Sequence, residues 1–382
     1  MKAVAVFPQT KEIRVIEHEV PHLTEPDHVK VRMLEIGICG TDKEICAFEY
    51  GTPPEGSDYL VIGHESLGEV VEVGPAVSRV NIGDLVVMTV RRPCSDPECR
   101  PCRAGYPDFC ITGNYTERGI KGAHGFMTEE VVDHERYLHI VPRELRDVAV
   151  LAEPLTIAEK AANQARQIVD RLPWLERVLQ EESRRLNPTA LVLGAGPVGL
   201  LGAMKLRVTG WETFVYALAP APNPSSDIVE AIGATYYSQG RIPQEAQQAL
   251  FGHIHLVYEA TGVSRLAFEM LKLLAPNGVF VMTGVPSLKA PIEVDADLLM
   301  RNIVLKNQIV LGTVNASAED FDAAIRDIGV FHQRWPEALN ALITSRVAPE
   351  EAPGLLRGPS GGIKNVITFD TSTRLTSKEQ GR

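Results

Sequence analysis

The segment Thr189-Ala190-Leu191-Val192-Leu193-Gly194-Ala195-Gly196-Pro197-Val198-Gly199-Leu200-Leu201 constrains the fold more than any other part of the chain. Apolar residues ahead of Gly194 read as a buried parallel strand, and Val198 to Met204 read as a helix that opens directly out of the turn. A strand, a glycine turn and a helix in that order begin a doubly wound sheet. Gly194 allows the tight turn, Gly196 removes a Cβ where a pyrophosphate approaches backbone N–H groups, and Gly199 lets the helix sit close on the strand. The helix N-terminus then holds the anion. Spacing alone also fits a plain structural turn, so the flanking sequence decides.

Those flanks alternate as such a sheet requires. Thr213–Ala217 reads as the second strand, Ile228–Ala234 as a helix ending near glycine, and His255–Ala260 and Gly278–Gly284 as later strands whose following loops face a nucleotide. An NAD site carries Asp or Glu at the end of the second strand, and an NADP site places Arg there. Here the chain reads Tyr216-Ala217-Leu218-Ala219-Pro220-Ala221-Pro222-Asn223-Pro224-Ser225-Ser226, with neither. Both cofactors stay open, with NADP slightly ahead and Asn223, Ser225 and Ser226 as candidate contacts.

The 382 residues suffice for about two domains. A net charge of -11 and no block of Lys and Arg argue against a nucleic-acid partner, because phosphate binding needs a basic face. Charges at Lys11, Glu12 and Arg14 interrupt the N-terminus too early for an export signal, and no apolar run reaches the roughly 18 residues of a membrane span. A cytoplasmic protein is expected. All six cysteines fall in the first third of the chain, a clustering that points to metal rather than to a disulfide scaffold.

That first third is rich in short β-like runs broken by Gly and Pro, among them Val29–Leu34, Gly68–Gly74 and Asp84–Met88, and reads as a small barrel-like β domain. Gly37-Ile38-Cys39-Gly40-Thr41-Asp42 and Gly63-His64-Glu65 offer a thiolate and an imidazole. A catalytic zinc needs about three protein ligands and an open position. Cys39 and His64 supply two, and Glu153 is a third candidate. Glu65 either binds the ion directly, binds it through water, or holds a ligand from behind. The plainer alternative is a buried cysteine and a surface histidine that never meet. Cys94, Cys99, Cys102 and Cys110 lie within one loop rich in Pro and Gly and can close around a tetrahedral ion, or form two disulfides in an oxidising compartment. Cys46 is left as a buried or half-buried thiol.

From about 155 to 187, apolar residues at helical spacing, as in Gln164–Asp170 and Trp174–Gln180, predict connecting helices broken near Pro173. Beyond 316 the chain reads as helices followed by a last strand in Gly361–Phe369 that rejoins the first domain, and the tail after Asp370 is polar. The expected division is 1–187, 188–315 and a return over 316–382.

GICGTD, GHE, the four-cysteine lobe and GAGPVG, in this order, resemble the zinc-containing medium-chain dehydrogenases of the alcohol dehydrogenase superfamily. Thr116–Gly122 with His124–Met127, Ala152–Leu155 with Glu159–Ala161, Tyr258–Gly262, Leu274–Gly278 and Gly312–Ala316 resemble more particularly the glucose 1-dehydrogenases best known from archaea. The resemblance covers nearly the whole chain and implies an α/β architecture, a GroES-like β-barrel catalytic domain with a Rossmann domain. It implies a catalytic zinc on Cys39, His64 and Glu153, with Glu65 at or near it, and a structural zinc on Cys94, Cys99, Cys102 and Cys110. Thr41 would meet the reacting hydroxyl and Glu65 would assist. Glu117, Asn315 and Glu153 would meet the sugar, although Glu117 alone reads as a solvated loop carboxylate and Asn315 as a cap. NADP or NAD would contact Gly194, Gly196, Pro197, Val198, Gly199, Leu218, Ala219, Val285, Thr313, Asn315 and Lys364; Lys364 alone reads equally well as an exposed strand lysine. His124 would shape its loop. The family tendency is a homotetramer or homodimer.

The implied reaction is zinc-dependent oxidation of an aldose at C1 to the lactone, with hydride passing to the nicotinamide in a cleft between domains. One rival is a zinc dehydrogenase of another sugar, a polyol or a simple alcohol. Another is a zinc-stabilised nucleotide sensor without turnover.

Overall fold

A computed structural model describes residues 1–173, 188–238, 254–286, 291–358 and 361–369. By its contacts the chain divides into two compact units, Met1–Glu153 with Asn315–His332 and Leu342–Arg382, and Pro154–Val314 with Gln333–Ala341. The helix Ala152–Val169, which the sequence placed with the first domain, lies in the second unit from Pro154 onward. The helix expected over Trp174–Gln180 and the tail after Asp370 fall outside the described residues.

The first unit is built around the strand His28–Gly37. Val29, Val31 and Met33 alternate inward, and Leu34–Gly37 is buried throughout because both faces are covered. Glu65–Val73 pairs along one edge, while Glu130–His134 and Lys364–Thr368 share the other, all antiparallel. The last strand thus returns to the first domain, with Val366 opposite Gly37. The sequence did not anticipate Ile343–Val347, which pairs parallel with that last strand. Its half-buried and exposed residues alternate as ITSRV, too short and too polar a run to stand out beside the neighbouring helical patterns.

In the second unit six parallel strands run in the order Thr235–Ser238, Glu212–Ala217, Thr189–Leu193, Ile254–Glu259, Leu274–Met282, Ile309–Gly312. Ala190–Leu193 is wholly buried, as a central strand covered on both faces must be, and Leu191, Val257, Phe280, Met270 and Leu271 form its core. The strand order reverses beside Thr189–Leu193, where such sheets open a crevice at their carboxyl ends. The helix after the second strand begins at Pro224, four residues before the expected start, because Asn223 caps it and Pro224 fits its first position. Among the described residues no helix is long and apolar enough to cross a membrane.

Candidate functional site

Sheet register brings the two short motifs together. Gly37 pairs with Glu65, so the chain leaving one strand through Ile38 and Cys39 passes the chain that enters the other through Gly63 and His64. Cys39 precedes the helix Gly40–Cys46, and its Sγ lies 3.0 Å from His64 Nε2. Ligand atoms of Cys39, His64 and Glu65 all lie within 4.8 Å of one another. A thiolate and an imidazole nitrogen converging on one point suit a borderline-soft divalent ion. The cysteine and histidine therefore meet.

Asp42, given no role on sequence grounds, holds the backbone of Cys39 and faces His64. Its Oδ2 accepts from Cys39 N at 2.9 Å, and its Oδ1 faces His64 Nδ1 at 3.5 Å, the position from which a carboxylate orients a ligating imidazole. The helix GTDKEIC places it there three residues after Cys39, a capping pattern visible in sequence. Burial would lift the Asp42 carboxyl, but the facing His64 holds it below its ordinary value. Burial would likewise depress His64; Cys39 and Asp42 outweigh it and raise the imidazole well above the ordinary value. Burial pushes the Cys39 thiol up against the opposing pull of His64.

Glu65 and Glu153 differ from each other. Glu65 is buried, and Lys364 Nζ donates to its two oxygens at 2.7 and 2.6 Å and to Ile38 O at 3.0 Å. Lys364 is 1% exposed, so the exposed-lysine alternative is corrected: the lysine is committed to Glu65, whose charge compensates its burial. Gly37 makes room for this carboxylate, since a Cβ there would stand 2.0 Å from Glu65 Oε2. Glu153 lies outside the tight set of three ligand atoms. Burial pushes its carboxyl up to about 7, His64 pulls it down and Glu65 pushes it up, which places it within electrostatic range of the cluster. Thr41 is half-buried in the first turn of the helix after Cys39.

Glu117 is no solvated loop carboxylate. It is 4% exposed; its Oε1 accepts from Arg91 Nη2 at 2.9 Å, from Arg91 Nε at 3.1 Å and from Asn315 Nδ2 at 2.7 Å. Asn315 stands in the left-handed region at φ 59° while its Oδ1 accepts from Ala316 N at 2.8 Å. The sequence joined Glu117 to Asn315 only through the family resemblance, and nothing in it singled out Arg91.

Sulfur atoms of Cys94, Cys99, Cys102 and Cys110 lie within 4.8 Å of one another. All six cysteines are free. Burial opposes ionisation of Cys110, but the Thr112 hydroxyl and backbone bring its thiol down to about 6. Four sulfurs in one turn of chain fit a closed tetrahedral ion. Cys46 is buried, its thiol pushed up to about 12 by desolvation. His124 Nδ1 accepts from Val61 N at 3.1 Å and its ring stacks on Tyr59, so it does shape its loop.

In the second unit the glycine turn has the expected geometry. Gly194 has φ 106°; a Cβ on Gly199 would stand 2.1 Å from Gly194 O, and one on Gly196 would meet open space. The helix Pro197–Val208 opens at that space, the cradle a pyrophosphate takes. Leu218 and Ala219 are exposed after the second strand. Asn223, Ser225 and Ser226 are otherwise engaged: Asn223 Oδ1 accepts from both serine N–H groups, Ser226 is 1% exposed, and Ser225 Oγ donates to Ala195 O. A cavity of about 430 Å³ at the strand ends includes Val285 and Thr313 in its lining. Glu259, missed from sequence, fixes its walls by accepting from Thr261 N at 2.7 Å, Gly262 N at 2.9 Å and Gly284 N at 3.2 Å.

Comparison with known proteins matches residues 25–143 to the alcohol dehydrogenase GroES-like domain and residues 146–369 to the glucose dehydrogenase C-terminus. A glucose 1-dehydrogenase of Methanocella arvoryzae is 39% identical over 96% of this chain and 99% of its own. One from Thermoproteus tenax is 41% identical over 85% of this chain and 87% of its own. Among solved structures, the Haloferax mediterranei glucose dehydrogenase in complex with NADP, Zn and gluconolactone superimposes with a TM-score of 0.84 at 35% identity, covering 97% of this chain and all of that one.

Proposed function

This chain belongs to the glucose dehydrogenase family, with the GroES-like domain of the alcohol dehydrogenases and a Rossmann domain, and we propose that it oxidises D-glucose or a closely related aldose at C1. The product is the aldonolactone, and the hydride passes to NADP or NAD. The observation that carries this reading is the likeness, over 97% of the chain, to a protein solved with NADP, zinc and gluconolactone together.

Cys39, His64 and Glu153 would hold the catalytic zinc, with Glu65 at or near it and Asp42 facing the imidazole from behind. A zinc bound there would supply Lewis acidity toward the C1 hydroxyl, and a bound nicotinamide would supply the hydride acceptor. Thr41, half-buried beside Cys39, receives the hydroxyl proton and passes it outward. Glu117, Asn315 and Glu153 orient the remaining hydroxyls. Gly194, Gly196, Pro197, Val198 and Gly199 seat the pyrophosphate, while Leu218, Ala219, Val285, Thr313 and Asn315 flank the rest of the dinucleotide. Lys364 serves the site through Glu65. The second-strand loop presents neither a carboxylate to repel a 2'-phosphate nor an arginine to hold one, so it admits NADP or NAD, with NADP slightly ahead. Cys94, Cys99, Cys102 and Cys110 hold a structural zinc. The protein works in the cytoplasm as a homodimer or homotetramer.

Incubation with D-glucose and NADP is expected to yield reduced cofactor and gluconolactone in equal amounts. Glu117→Gln should lower kcat/KM for the sugar about 10- to 100-fold without loss of zinc. Turnover of polyols or simple alcohols but not of aldoses would instead establish the rival dehydrogenase.

A further inference from the structure

We propose that Arg91 is a positioning residue for sugar recognition, holding Glu117 so that a single carboxylate oxygen, Oε2, is left to accept a substrate hydroxyl. This rests on the reading of Glu117 as a sugar contact.

Three donors converge on Oε1, namely Arg91 Nε, Arg91 Nη2 and Asn315 Nδ2. Among the described residues every hydrogen bond to the Glu117 carboxylate ends on Oε1 and none on Oε2. With Oε1 taken up by the guanidinium and the amide, Oε2 offers an acceptor, so the substrate group that meets it must be a donor, as a sugar hydroxyl is. The arrangement favours a neutral polyhydroxy compound and disfavours an anionic substituent at that place.

The arginine is itself fixed on several sides. It is 6% exposed, its Nη1 donates to Asp108 O at 3.2 Å, and its guanidinium carbon lies 3.7 Å from the centre of the Tyr115 ring. Asp108 sits in the turn Pro107–Phe109, immediately before Cys110, so Arg91 joins the four-cysteine lobe to Glu117 by direct hydrogen bonds. A lysine carries the charge but lacks the rigid fork whose Nε and Nη2 converge on Oε1 while Nη1 keeps the bond to Asp108 O.

The test is a double-mutant cycle in the zinc-loaded enzyme, with zinc content and thermal midpoint recorded for every variant. Arg91→Lys is expected to raise KM for glucose about 10-fold, to change kcat less than about 3-fold, and to leave KM for NADP unaltered. In the Glu117→Gln background the same change is expected to add less than about 2-fold, because its effect runs through Glu117. Across a series of monodeoxyglucoses, the same one member should lose sensitivity to both substitutions. An unchanged sugar KM in Arg91→Lys, when Glu117→Gln raises it, overturns the proposal and leaves the sugar contact standing. So does an Arg91→Lys effect of equal size in both backgrounds. An unchanged sugar KM in Glu117→Gln removes the sugar contact and the proposal with it. Should Arg91→Lys not fold, Tyr115→Leu, which takes away the ring against the guanidinium, should raise sugar KM about 3-fold; no change there overturns the proposal.

Discussion

Asp42 illustrates what a residue's place in the fold adds to its place in a motif. It belongs to GICGTD, yet its function depends on His64, which only strand register brings within 3.5 Å. Asp42→Ala is predicted to weaken zinc binding at the Cys39 and His64 site about 10- to 100-fold in competition with a chelator. Equal affinity in the variant would remove Asp42 from the site. His124 supplies a prediction in pH. Burial lowers its imidazole from 6.5 to about 4, with His18 and Arg118 adding to the effect. The unfolded chain therefore takes up the proton first, and this contribution to stability is complete above pH 6.5 and lost as pH falls toward 4. The urea midpoint should fall over that window, and His124→Gln should flatten the fall; an unaltered slope would contradict this assignment. Cys39 and His64 were legible because thiolate and imidazole are rare and their motifs distinctive. The burial of Glu117 and Lys364 was not legible from the residues alone, because a charged residue in a loop or strand looks solvated until its partner, Arg91 or Glu65, is placed beside it.

Elements were read most reliably where burial was two-sided or glycine punctuated the chain. Ala190–Leu193 and the helix after Gly196 appear as expected, whereas Ile343–Val347 carries no comparable apolar signal. The Asn223 cap explains both the early helix start and why three polar side chains in that loop are occupied. Two glycine substitutions separate folding from binding in the same turn. Gly199→Ala forces a Cβ to within 2.1 Å of Gly194 O and should destabilise the protein by about 1–3 kcal/mol. Gly196→Ala meets no atom, so the thermal midpoint should hold while KM for NADP rises about 10-fold or more. Equal effects of the two on stability would contradict the assigned roles.

At the scale of the whole molecule, the sequence pattern suggests a β-rich first region, an alternating second region and a return, with a boundary at 187. Contacts place it at Glu153, because the helix Ala152–Val169 packs with the second unit from Pro154 onward, and a helical period alone carries no record of its partner. The four-cysteine lobe and the Cys39 cluster make separate demands on metal. Cys102→Ser should remove about one zinc per chain and lower the thermal midpoint while the other zinc is retained; loss of neither would refute a structural ion in the lobe. The most direct test of the account is the initial rate of reduced-nicotinamide formation from D-glucose, with NADP and NAD in parallel, on zinc-replete, chelator-stripped and zinc-restored protein. A glucose-dependent rate that disappears with the zinc and returns with it is expected. No rate from zinc-replete protein with either cofactor would contradict it.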